Sequence, residues 1–353
     1  MAKIKLTPGQ LYFLRERDFL TGEISRYVKI GLVRDEKETA ARISEHQTGN
    51  PREIYDYRSL SAPFVEHVET LMHYWFAPKW ITGEWFNMNE EEIDAAIAVA
   101  EEIIQEQQDS KDTIERSYEL GSMESNGEII EASEEAQKVW EELTQVKVEM
   151  DALAARKKII DHELRKALGN AGGIEGVLSV SFKEGGIRFD DKLLLEDHPE
   201  LHEEYSTKET SSVTGPFTVK AKRALKKENP ELSNEVKSLE KIDLDVSDID
   251  FEKSVEPTEQ IKALHADYIN IQREIYIKDW HYTRMEARLK MLTADSDGID
   301  GLCGWKRELK RKTSFDKKRF EEDHPELAEK YTRRSPDNFA VNVFSWRNYS
   351  VAE

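Results

Sequence analysis

Cysteine is almost absent from this sequence: Cys303 is the single one in 353 residues. One thiol cannot form a disulfide within the chain, and it cannot build a zinc site of several cysteines. Long apolar runs are also missing, because no stretch approaches the roughly 18 residues that a membrane-spanning helix needs. The first residues lack the apolar core of a secretory signal. We therefore expect a protein of a reducing compartment that does not span a membrane.

Acidic residues outnumber basic ones by 71 to 51, which gives a formal net charge of −20. A protein with this average charge repels nucleic acid, but a local cluster of basic residues can still bind a phosphate backbone. Hydrophobic residues make up 38% of the chain and charged residues 35%. This apolar share is enough for compact cores but predicts exposed helices and linkers.

Residues 1–107 alternate short strand-like and helix-like segments. Aromatic and β-branched residues favour strands, whereas helical apolar periodicity with a terminal Pro or Asn favours helices. The predicted elements, in order, are strands 10–15 and 26–33, helix 36–47, strand 54–60, helix 63–77, a short strand in GEWFNM and helix 90–107. This order predicts a small α+β domain with a mostly antiparallel sheet. Residues 108–133 lose the apolar periodicity and are predicted to be a linker that is partly helical.

The rest of the chain contains an internal repeat. GIEG at 173–176 is matched by GIDG at 298–301. FDDKLLLEDHPELHEEY at 189–205 is matched at 11 of 17 positions by FDKKRFEEDHPELAEKY at 315–331. Each copy follows a long helix-like stretch and ends in an apolar run, which is NVFSW at 342–346 in the second copy. The unit is predicted to be a long helix, a glycine turn, a β-hairpin, a short helix and a final strand.

These boundaries place repeat one at 134–227, an acidic linker at 228–257 and repeat two at 258–353. The two long helices, 134–168 and about 258–293, carry narrow apolar stripes at heptad-like spacing. A single small hairpin cannot cover such a stripe, so we predict that the two helices pack against each other as a pseudo-symmetric pair. The first domain is predicted to stay mobile on its linker.

Five segments of the first domain occur in the order found in one nuclease superfamily. They are LYFL around Tyr12, VKIG at 28–31, ARISEHQTGNP at 41–51, VETLMHYWF at 68–76 and GEWF at 83–86. Together they resemble the GIY-YIG nucleases, and most closely the short phage-type domains of that superfamily. The resemblance covers roughly residues 10–88, about a quarter of the chain.

The resemblance implies a metal-dependent phosphodiesterase site. Tyr12 would be the base, or would orient the attacking water. Lys29, in place of the second tyrosine of the family name, would lower the pKa of the Tyr12 phenol. Arg42 would hold the scissile phosphate, and Glu69 would be the single protein ligand of one Mg²⁺ or Mn²⁺.

Two histidines add to the implied site. His46 follows Arg42 by one helical turn and therefore faces the same way. His73 follows Glu69 at the same spacing and shares its face. Either imidazole would serve as a proton shuttle or as a hydrogen-bond donor to phosphate.

In both repeats a glycine turn, a strand pair and an HPEL helix follow the long helix. This arrangement is similar to the C-terminal region of phage exonucleases of the lambda-exonuclease type, which implies an accessory module and not a second active site. Repeat two carries many basic residues beside an aromatic one, a composition that suits a nucleic-acid backbone. The candidate DNA-binding residues are Trp305, Lys306, Arg307, Lys310, Arg311, Lys312, Lys317, Lys318 and Arg319. Repeat one retains only Lys183, Arg188 and Lys192 there, which favours a scaffolding or dimer role.

The sequence thus favours a phage-type endonuclease whose duplicated modules position it on DNA. Two alternatives stay open: a non-catalytic nucleic-acid-binding or protein-interaction factor, and an accessory subunit of a phage recombination complex. A phage recombination or replication protein is a further candidate partner. The expected partner is DNA, with self-association through the long helices as a second mode and no membrane contact. A phage-encoded protein of this kind would act in the cytoplasm of the bacterial host.

Overall fold

The fold is known from a computed structural model, which describes residues 4–34, 39–221, 224–240, 242 and 248–344. Helices and small sheets are mixed along the chain, and the predicted α+β class is confirmed. Ser345 and Trp346, which end the second predicted apolar run, lie outside the described residues, as do residues 36–38 of the first predicted helix. Within the described ranges, no helix combines the length and the apolar composition needed to cross a bilayer.

The N-terminal unit folds around one five-stranded antiparallel sheet. Its elements are β1 (Gly9–Arg17), β2 (Ile24–Arg34), α1 (Thr39–Gln47), β3 (Glu53–Ala62), α2 (Val65–Trp75), β4 (Trp80–Thr82), β5 (Trp85–Asn87) and α3 (Glu90–Leu120). The strand order is β3-β1-β2-β5-β4, so β1 lies inside the sheet. The predicted short strand in GEWFNM is accompanied by β4, and the turn between β4 and β5 has Gly83 at a φ of 54°, which glycine adopts without strain.

Strand β1 is buried on both faces, which fixes the direction of its side chains. Leu11 and Phe13 belong to the main core with α2 and α3. Tyr12 and Leu14 belong to a smaller cluster on the opposite face, together with Ile54. Because successive side chains of a strand alternate between faces, the segment LYFL turns its tyrosine away from the main core.

Helix α3 runs past its predicted end at 107 and forms the helical part of the predicted linker 108–133. Its first turn is capped by Asn89, whose side chain accepts a hydrogen bond from the backbone N–H of Glu92 at 2.9 Å. The helix continues to Leu120 because Ile114 and Leu120 are buried. These few apolar residues stand among polar ones, and such a sparse stripe is hard to distinguish from a linker in sequence.

The duplicated half contains the same succession of elements twice. Repeat one is preceded by β6 (Ile129–Ile130) and comprises α4 (Glu134–Leu168), β7 (Ala171–Ile174), β8 (Leu178–Lys183), β9 (Ile187–Phe189), α5 (Asp191–Asp197), α6 (Pro199–Tyr205), β10 (Lys208–Thr214) and β11 (Thr218–Val219). The connecting segment contributes α7 (Ala224–Glu228), α8 (Pro230–Ser238) and β12 (Asp250–Val255). Repeat two comprises α9 (Glu259–Thr293), β13 (Gly298–Ile299), β14 (Cys303–Gly304), β15 (Glu308–Ser314), α10 (Lys317–Asp323), α11 (Pro325–Lys330), β16 (Thr332–Arg334) and β17 (Asn338–Val343).

The acidic segment 228–257 is partly structured, which corrects its prediction as a solvated linker. Helix α8 packs on α4, and the Asn229 side chain caps it by accepting a hydrogen bond from Leu232 N–H at 3.0 Å. Strand β12 adds to β7 in parallel. Leu232 and Ile249 are buried and anchor the segment in spite of its many charges.

The two repeats exchange strands, and this was not predicted. Strand β10 of repeat one pairs with β15 of repeat two, and β16 of repeat two pairs with β9 of repeat one. Reciprocally, β11 pairs with β14, and β17 pairs with β8. The strands before the long helices also cross over, since β6 joins β13 and β12 joins β7. The predicted hairpin of β8 with β9 is therefore wrong: β9 pairs with the other repeat, and β8 pairs with the other repeat and with β7 of its own repeat.

Reciprocal contacts indicate a pseudo-two-fold axis between the copies. The Tyr205 hydroxyl donates to Asp323 at 2.8 Å, and at the equivalent positions the Tyr331 hydroxyl donates to Asp197 at 2.7 Å. Both tyrosines are buried, so each hydrogen bond satisfies a hydroxyl that has little access to water. These two contacts agree with the pseudo-symmetric arrangement predicted for the repeats.

Helices α4 and α9 pack against each other in antiparallel directions, as their apolar stripes predict. In the middle, Lys278 donates to Glu149 at 2.6 Å. The start of α4 meets the end of α9 in a cluster that includes Val139, Leu143, Met285 and Leu289. The end of α4 meets the start of α9 in a cluster that includes Leu164, Ile261 and Leu264. Each helix thus covers the stripe of the other within one chain.

The N-terminal unit packs on α9, so the prediction of a mobile first domain is wrong. Trp280 of α9 belongs to its core and donates from Nε1 to Glu106 of α3 at 2.7 Å. Tyr276, one turn earlier, stacks on Tyr74 of α2 with ring centroids 3.9 Å apart. The rings of His67 and Trp280 are 4.6 Å apart. Helix α9 therefore has two partners, and the heptad-like pattern in its sequence reveals only one of them.

We expect the free energy of unfolding to fall as the pH drops through the range from 6.5 to about 4, because His67 stays neutral at this junction. Burial lowers the pKa of His67 from 6.5 to about 4, and its Nδ1 accepts a hydrogen bond from Gln107 Nε2 at 3.1 Å. The unfolded chain takes up this proton at higher pH than the folded chain, which costs about 2 kcal/mol near pH 5. Urea unfolding at neutral pH and near pH 5 measures the loss. An equal loss in His67→Gln would contradict this origin.

Candidate functional site

A polar cavity of about 340 Å³ opens beside β2 of the N-terminal sheet, and Tyr12 lines it. It is lined by residues of β1, β2, α1, α2 and the β4–β5 turn. They are Tyr12, Leu32, Arg34, Arg42, Glu66, Glu69, Thr70 and Glu84. The predicted site residues Tyr12, Arg42 and Glu69, which are distant in sequence, thus lie around one cavity.

Gly31 provides the space for the Tyr12 ring. The two residues lie opposite each other in the pairing of β1 with β2. A methyl group at Gly31 would lie 2.5 Å from Tyr12 Oη and 2.6 Å from Cζ, which is closer than packed atoms approach. The glycine of the KIG segment therefore lets the phenol lie over β2, where only 1% of Tyr12 is exposed.

The Tyr12 phenol is protonated at neutral pH. Burial and the negative charge of Glu84 raise the pKa of Tyr12 to about 12, and a hydrogen bond from Arg42 only partly offsets them. Tyr12 Oη also lies 3.4 Å from His46 Nε2 and donates to it when the imidazole is neutral. The hydroxyl therefore links Arg42 to His46. The prediction that Lys29 lowers this pKa is wrong, because the environment of Tyr12 raises it.

Lys29 is neutralised by Glu84, a partner that the sequence did not reveal. Its Nζ donates to Glu84 Oε2 at 2.6 Å, and only 7% of the lysine is exposed. Burial raises the pKa of Glu84, but the hydrogen bond and charge of Lys29 outweigh it and hold that pKa below its ordinary value. The Glu84 carboxylate is therefore ionised, and its charge offsets that of Lys29 at the phenol.

Helix α1 directs Arg42 and His46 toward Tyr12. Arg42 forms an ion pair with Glu45 at 2.5 Å and also hydrogen-bonds Tyr12. Burial lowers the pKa of His46 below 6.5, and the positive charges of Lys29 and Arg42 add to the effect. The imidazole is thus neutral at neutral pH. The predicted common face of Arg42 and His46 is confirmed, because both contact the same phenol.

His73 does not line the cavity, which corrects its predicted role as a proton shuttle. Its side chain is 1% exposed, and its Nε2–H donates to the backbone carbonyl of Ile30 at 2.7 Å. The ring also packs near Phe86, with centroids 5.5 Å apart. The four-residue spacing from Glu69 predicts which side of α2 carries His73, but it does not predict how deeply the side chain is buried. Here β2 covers this part of the helix. His73 therefore attaches α2 to the sheet.

Two glutamates of α2 line the cavity one helical turn apart. Glu66 contacts Lys5 at 2.7 Å and Arg34 at 2.6 Å, and these hydrogen bonds lower the pKa of Glu66. Glu69 lines the same cavity and adds to the negative potential at Tyr12. Glu66 and Arg34 were missed in sequence, although the three-residue spacing before Glu69 was an available signal for Glu66.

The residues of the cavity fit a hydrated divalent ion better than a closed metal cage. In the part of the chain that the structure describes, no group of three His, Cys, Asp or Glu side chains is arranged to hold a metal. Mg²⁺ commonly takes one or two carboxylates and keeps several waters, with substrate phosphates completing the shell. A polar cavity with the Glu69 carboxylate on its wall matches this habit, and Glu69 is the residue that would hold the ion.

The predicted DNA-binding cluster of repeat two is divided by burial. Trp305 and Arg307 are 3% and 1% exposed, and the guanidinium lies 3.9 Å from the centroid of the indole ring. Arg307 also donates to the carbonyl of Ala294 at 2.9 Å. The segment after α3 covers both side chains, since Ser125 N–H donates to Arg307 O at 3.0 Å. Their predicted contact with DNA is therefore wrong, and they stabilise the fold.

The other seven residues of this cluster lie at the surface. Three of them have carboxylate partners, in the pairs Lys306–Glu308, Lys317–Glu321 and Arg319–Asp323. The remaining four are exposed and form no ion pair with any other described residue: Lys310, Arg311, Lys312 and Lys318. Strand β15 thus presents three successive cations to solvent, and none of them has a carboxylate partner among the described residues.

The segment that forms the cavity matches a known domain. Residues 9–101 match the T5orf172 domain. This phage-associated domain is of the nuclease type, so the match agrees with a nuclease-like N-terminal unit and with DNA as its partner. The T5orf172 match begins in β1 and ends inside α3, and it includes every residue that lines the cavity.

The T5orf172 match covers about a quarter of the chain and leaves the duplicated half outside it. The resemblance of the repeats to lambda-type exonucleases gains no support from it. No curated protein matches the chain, and no solved structure matches it either. The role of the repeats therefore has to be argued from their own surface.

Proposed function

We propose that the N-terminal unit is a metal-dependent endonuclease of the GIY-YIG type that hydrolyses phosphodiester bonds in DNA. The observation that carries this proposal is the position of Tyr12, Arg42 and Glu69 around one polar cavity inside the T5orf172 match. Phosphodiester hydrolysis needs an aligned water, positive charge for the developing oxyanion, and a metal site. The phenol, the guanidinium and the carboxylate are suited to these three tasks.

Arg42 binds the scissile phosphate through its planar fork and stabilises the charge that develops on the phosphate oxygens. Its ion pair with Glu45 is partly exposed, since the two side chains are 39% and 45% exposed. Such surface pairs contribute at most about 1 kcal/mol, so a phosphate can take over the guanidinium. A divalent ion held by Glu69 supplies further positive charge at the phosphate.

Tyr12 orients the attacking water as a neutral phenol and passes a proton to His46. A phenol whose pKa is about 12 is not a base at neutral pH, because almost none of it is ionised. His46 is neutral there and lies 3.4 Å from Tyr12 Oη, so it is the available acceptor. In this role His46 is the general base and Tyr12 is its relay.

Incubation of the purified chain with supercoiled plasmid tests the proposal. Nicked or linear DNA should form with Mg²⁺ or Mn²⁺ and should be abolished by a chelator. Linear, single-stranded and branched DNA, and RNA, are tested alongside. Intact nucleic acid in every case would reject catalysis.

A DNA-binding factor that does not cleave is the second candidate. It is favoured by the Lys29–Glu84 ion pair, which leaves no uncompensated cation at position 29, and by the raised pKa of Tyr12. Binding of duplex DNA without any product, at metal concentrations that support other nucleases, is its expected signature.

The pH dependence of cleavage tests the role of His46. Because its pKa lies below 6.5, the neutral imidazole should persist at neutral pH, and the rate should fall only as the pH drops below that value. His46→Gln should lower the single-turnover rate by roughly 10- to 100-fold and remove this acid limb, since water substitutes only poorly for a positioned base. An acid limb that is unchanged in the variant would assign it to another group.

A further inference from the structure

Two narrow β-ribbons are made by strand exchange between the repeats. Ribbon one is the antiparallel pair of β10 and β15, and ribbon two is the antiparallel pair of β16 and β9. Each ribbon takes one strand from each repeat, so neither belongs to one copy alone. Their charge therefore cannot be judged from the sequence of either copy.

The two ribbons meet near the pseudo-two-fold axis. Phe189 ends β9 and Phe315 follows β15, and these equivalent residues stack with centroids 5.4 Å apart and an interplanar angle of 9°. Both rings also contact Phe320 of the shared cluster of short helices. The same axis that relates the repeats thus relates the inner ends of the ribbons.

Both ribbons are basic, although the chain as a whole is acidic. On ribbon one, Lys310, Arg311 and Lys312 are exposed. On ribbon two, Arg188 of repeat one lies opposite Arg333 of repeat two in the strand pairing, and Arg334 is next to it. All three arginines of ribbon two are exposed. Repeat one contributes only Arg188 to ribbon two, and strand exchange adds Arg333 and Arg334 from repeat two. A count of basic residues within repeat one alone therefore underestimates the charge of this ribbon.

The ion pairs between these cations and neighbouring carboxylates are weak. Arg333 is 3.9 Å from Asp190, and Arg334 is 3.3 Å from Asp337 and 3.7 Å from Glu184. All five side chains are at least one-third exposed. Surface pairs of this kind contribute little and are screened by salt. Arg188 forms no ion pair within the ranges that the structure describes. A row of phosphates can therefore compete for all six side chains.

Folding alone does not account for ribbon one. All seven residues of β15 are exposed, so its cations cover no core. A two-stranded ribbon without a packed face is only marginally stable in water, which makes a bound partner the simplest reason for it. A two-stranded β-ribbon fits the major groove of B-DNA, and its cations can contact the phosphates at the groove edges.

We propose that the duplicated half binds duplex DNA through both ribbons, as a two-armed basic surface centred on the Phe189–Phe315 stack. This proposal rests on the proposed function in one respect: it takes DNA as the ligand, but it does not require that the DNA is cleaved. Repeat one then supplies one strand of each DNA-binding ribbon. This DNA-binding role takes the place of the scaffolding or dimer role that its sequence suggested. Three phosphate contacts on each ribbon should each contribute about 0.9 to the slope of log affinity against log salt.

Binding of the full chain to a fluorescent DNA duplex, measured in chelator so that no cleavage occurs, tests this proposal. One variant replaces Lys310, Arg311 and Lys312 by alanine, and another replaces Arg188, Arg333 and Arg334. Each should weaken binding and lower the salt slope by about 2.7, and the combined variant by about twice that. The matched control removes three exposed lysines of α4 and should keep nearly the whole slope: Lys138, Lys158 and Lys166.

Arg188→Lys, Arg333→Lys and Arg334→Lys together keep the charge and should keep the slope, which separates loss of contact from loss of folding. An unchanged slope after the alanine changes in ribbon two would overturn the proposal, as would an equal loss in the α4 control. Tighter binding to RNA or to single-stranded DNA than to the duplex would overturn it as well. A chain that never cuts DNA can still pass this test, so failure of the nuclease proposal and failure of this one are distinguishable.

Discussion

Glu69→Gln is expected to slow DNA cleavage by on the order of 10³-fold while the protein remains folded. Glutamine keeps the shape of the side chain but removes the charge that would hold the divalent ion. In the described residues there is no cluster of three acidic or histidine side chains to take over. Loss of the metal removes several kcal/mol of transition-state stabilisation, which corresponds to this factor. Single-turnover cleavage of a labelled duplex at saturating Mg²⁺ measures it.

Glu66→Gln is the matched control, because Glu66 lines the same cavity one turn earlier on α2. Its carboxylate is already bound by Lys5 and Arg34, so its removal should change the rate far less. Thermal unfolding of both variants should stay close to that of wild type. Wild-type activity in Glu69→Gln, or an equal loss in both variants, would reject the assignment of Glu69 as the metal ligand.

Gly31→Ala is expected to reduce cleavage by about 10²- to 10⁴-fold, although glycine carries no reactive group. The added methyl group would lie 2.5 Å from Tyr12 Oη, and the tyrosine is too deeply buried to move aside freely. The ring must shift, which breaks its alignment with Arg42 and His46. Misplacing a relay of protons has an effect comparable to losing general acid–base catalysis. Overpacking should also lower the free energy of unfolding by about 1 to 3 kcal/mol.

Gly304→Ala is a suitable control, since a methyl group there meets no atom within 4 Å. It should leave both the rate and the stability close to wild type. Tyr12→Phe tests the same relay from the other side, because it keeps the ring and removes the hydroxyl. Full activity in Gly31→Ala would indicate that the position of the Tyr12 phenol does not matter for cleavage.

The N-terminal unit could be predicted from sequence because its signals are local. Alternating residues in LYFL and the four-residue spacing of Arg42 and His46 specify which faces they occupy, and the structure places them accordingly. The Lys29–Glu84 pair could not be found in this way, since it joins two strands that meet only in the sheet. The depth of His73 likewise depends on β2 passing over α2, and helical spacing says nothing about that.

The duplicated half shows a different limit. The repeat and the long apolar stripes predicted the pairing of α4 with α9, because each long helix has an apolar stripe that only another long helix can bury. Strand exchange was invisible, since a strand has the same pattern whether it pairs within its own copy or with the other one. The contacts of Tyr276 and Trp280 with the N-terminal unit could not be predicted either, because the apolar stripe of α9 indicates one neighbour and the helix has two.

Strand exchange within a single chain has a consequence for how this unit assembles and diverges. Two separate copies joined in this way would dissociate on dilution, whereas here the halves meet at an effective concentration fixed by the connecting segment 220–258. Because both copies are encoded in one chain, their sequences can also differ, whereas in a homodimer one sequence has to form both sides of the axis. The seven-residue lysine-bearing arm and the three-residue arginine arm already differ. A unit with such unequal arms is suited to a target that lacks two-fold symmetry.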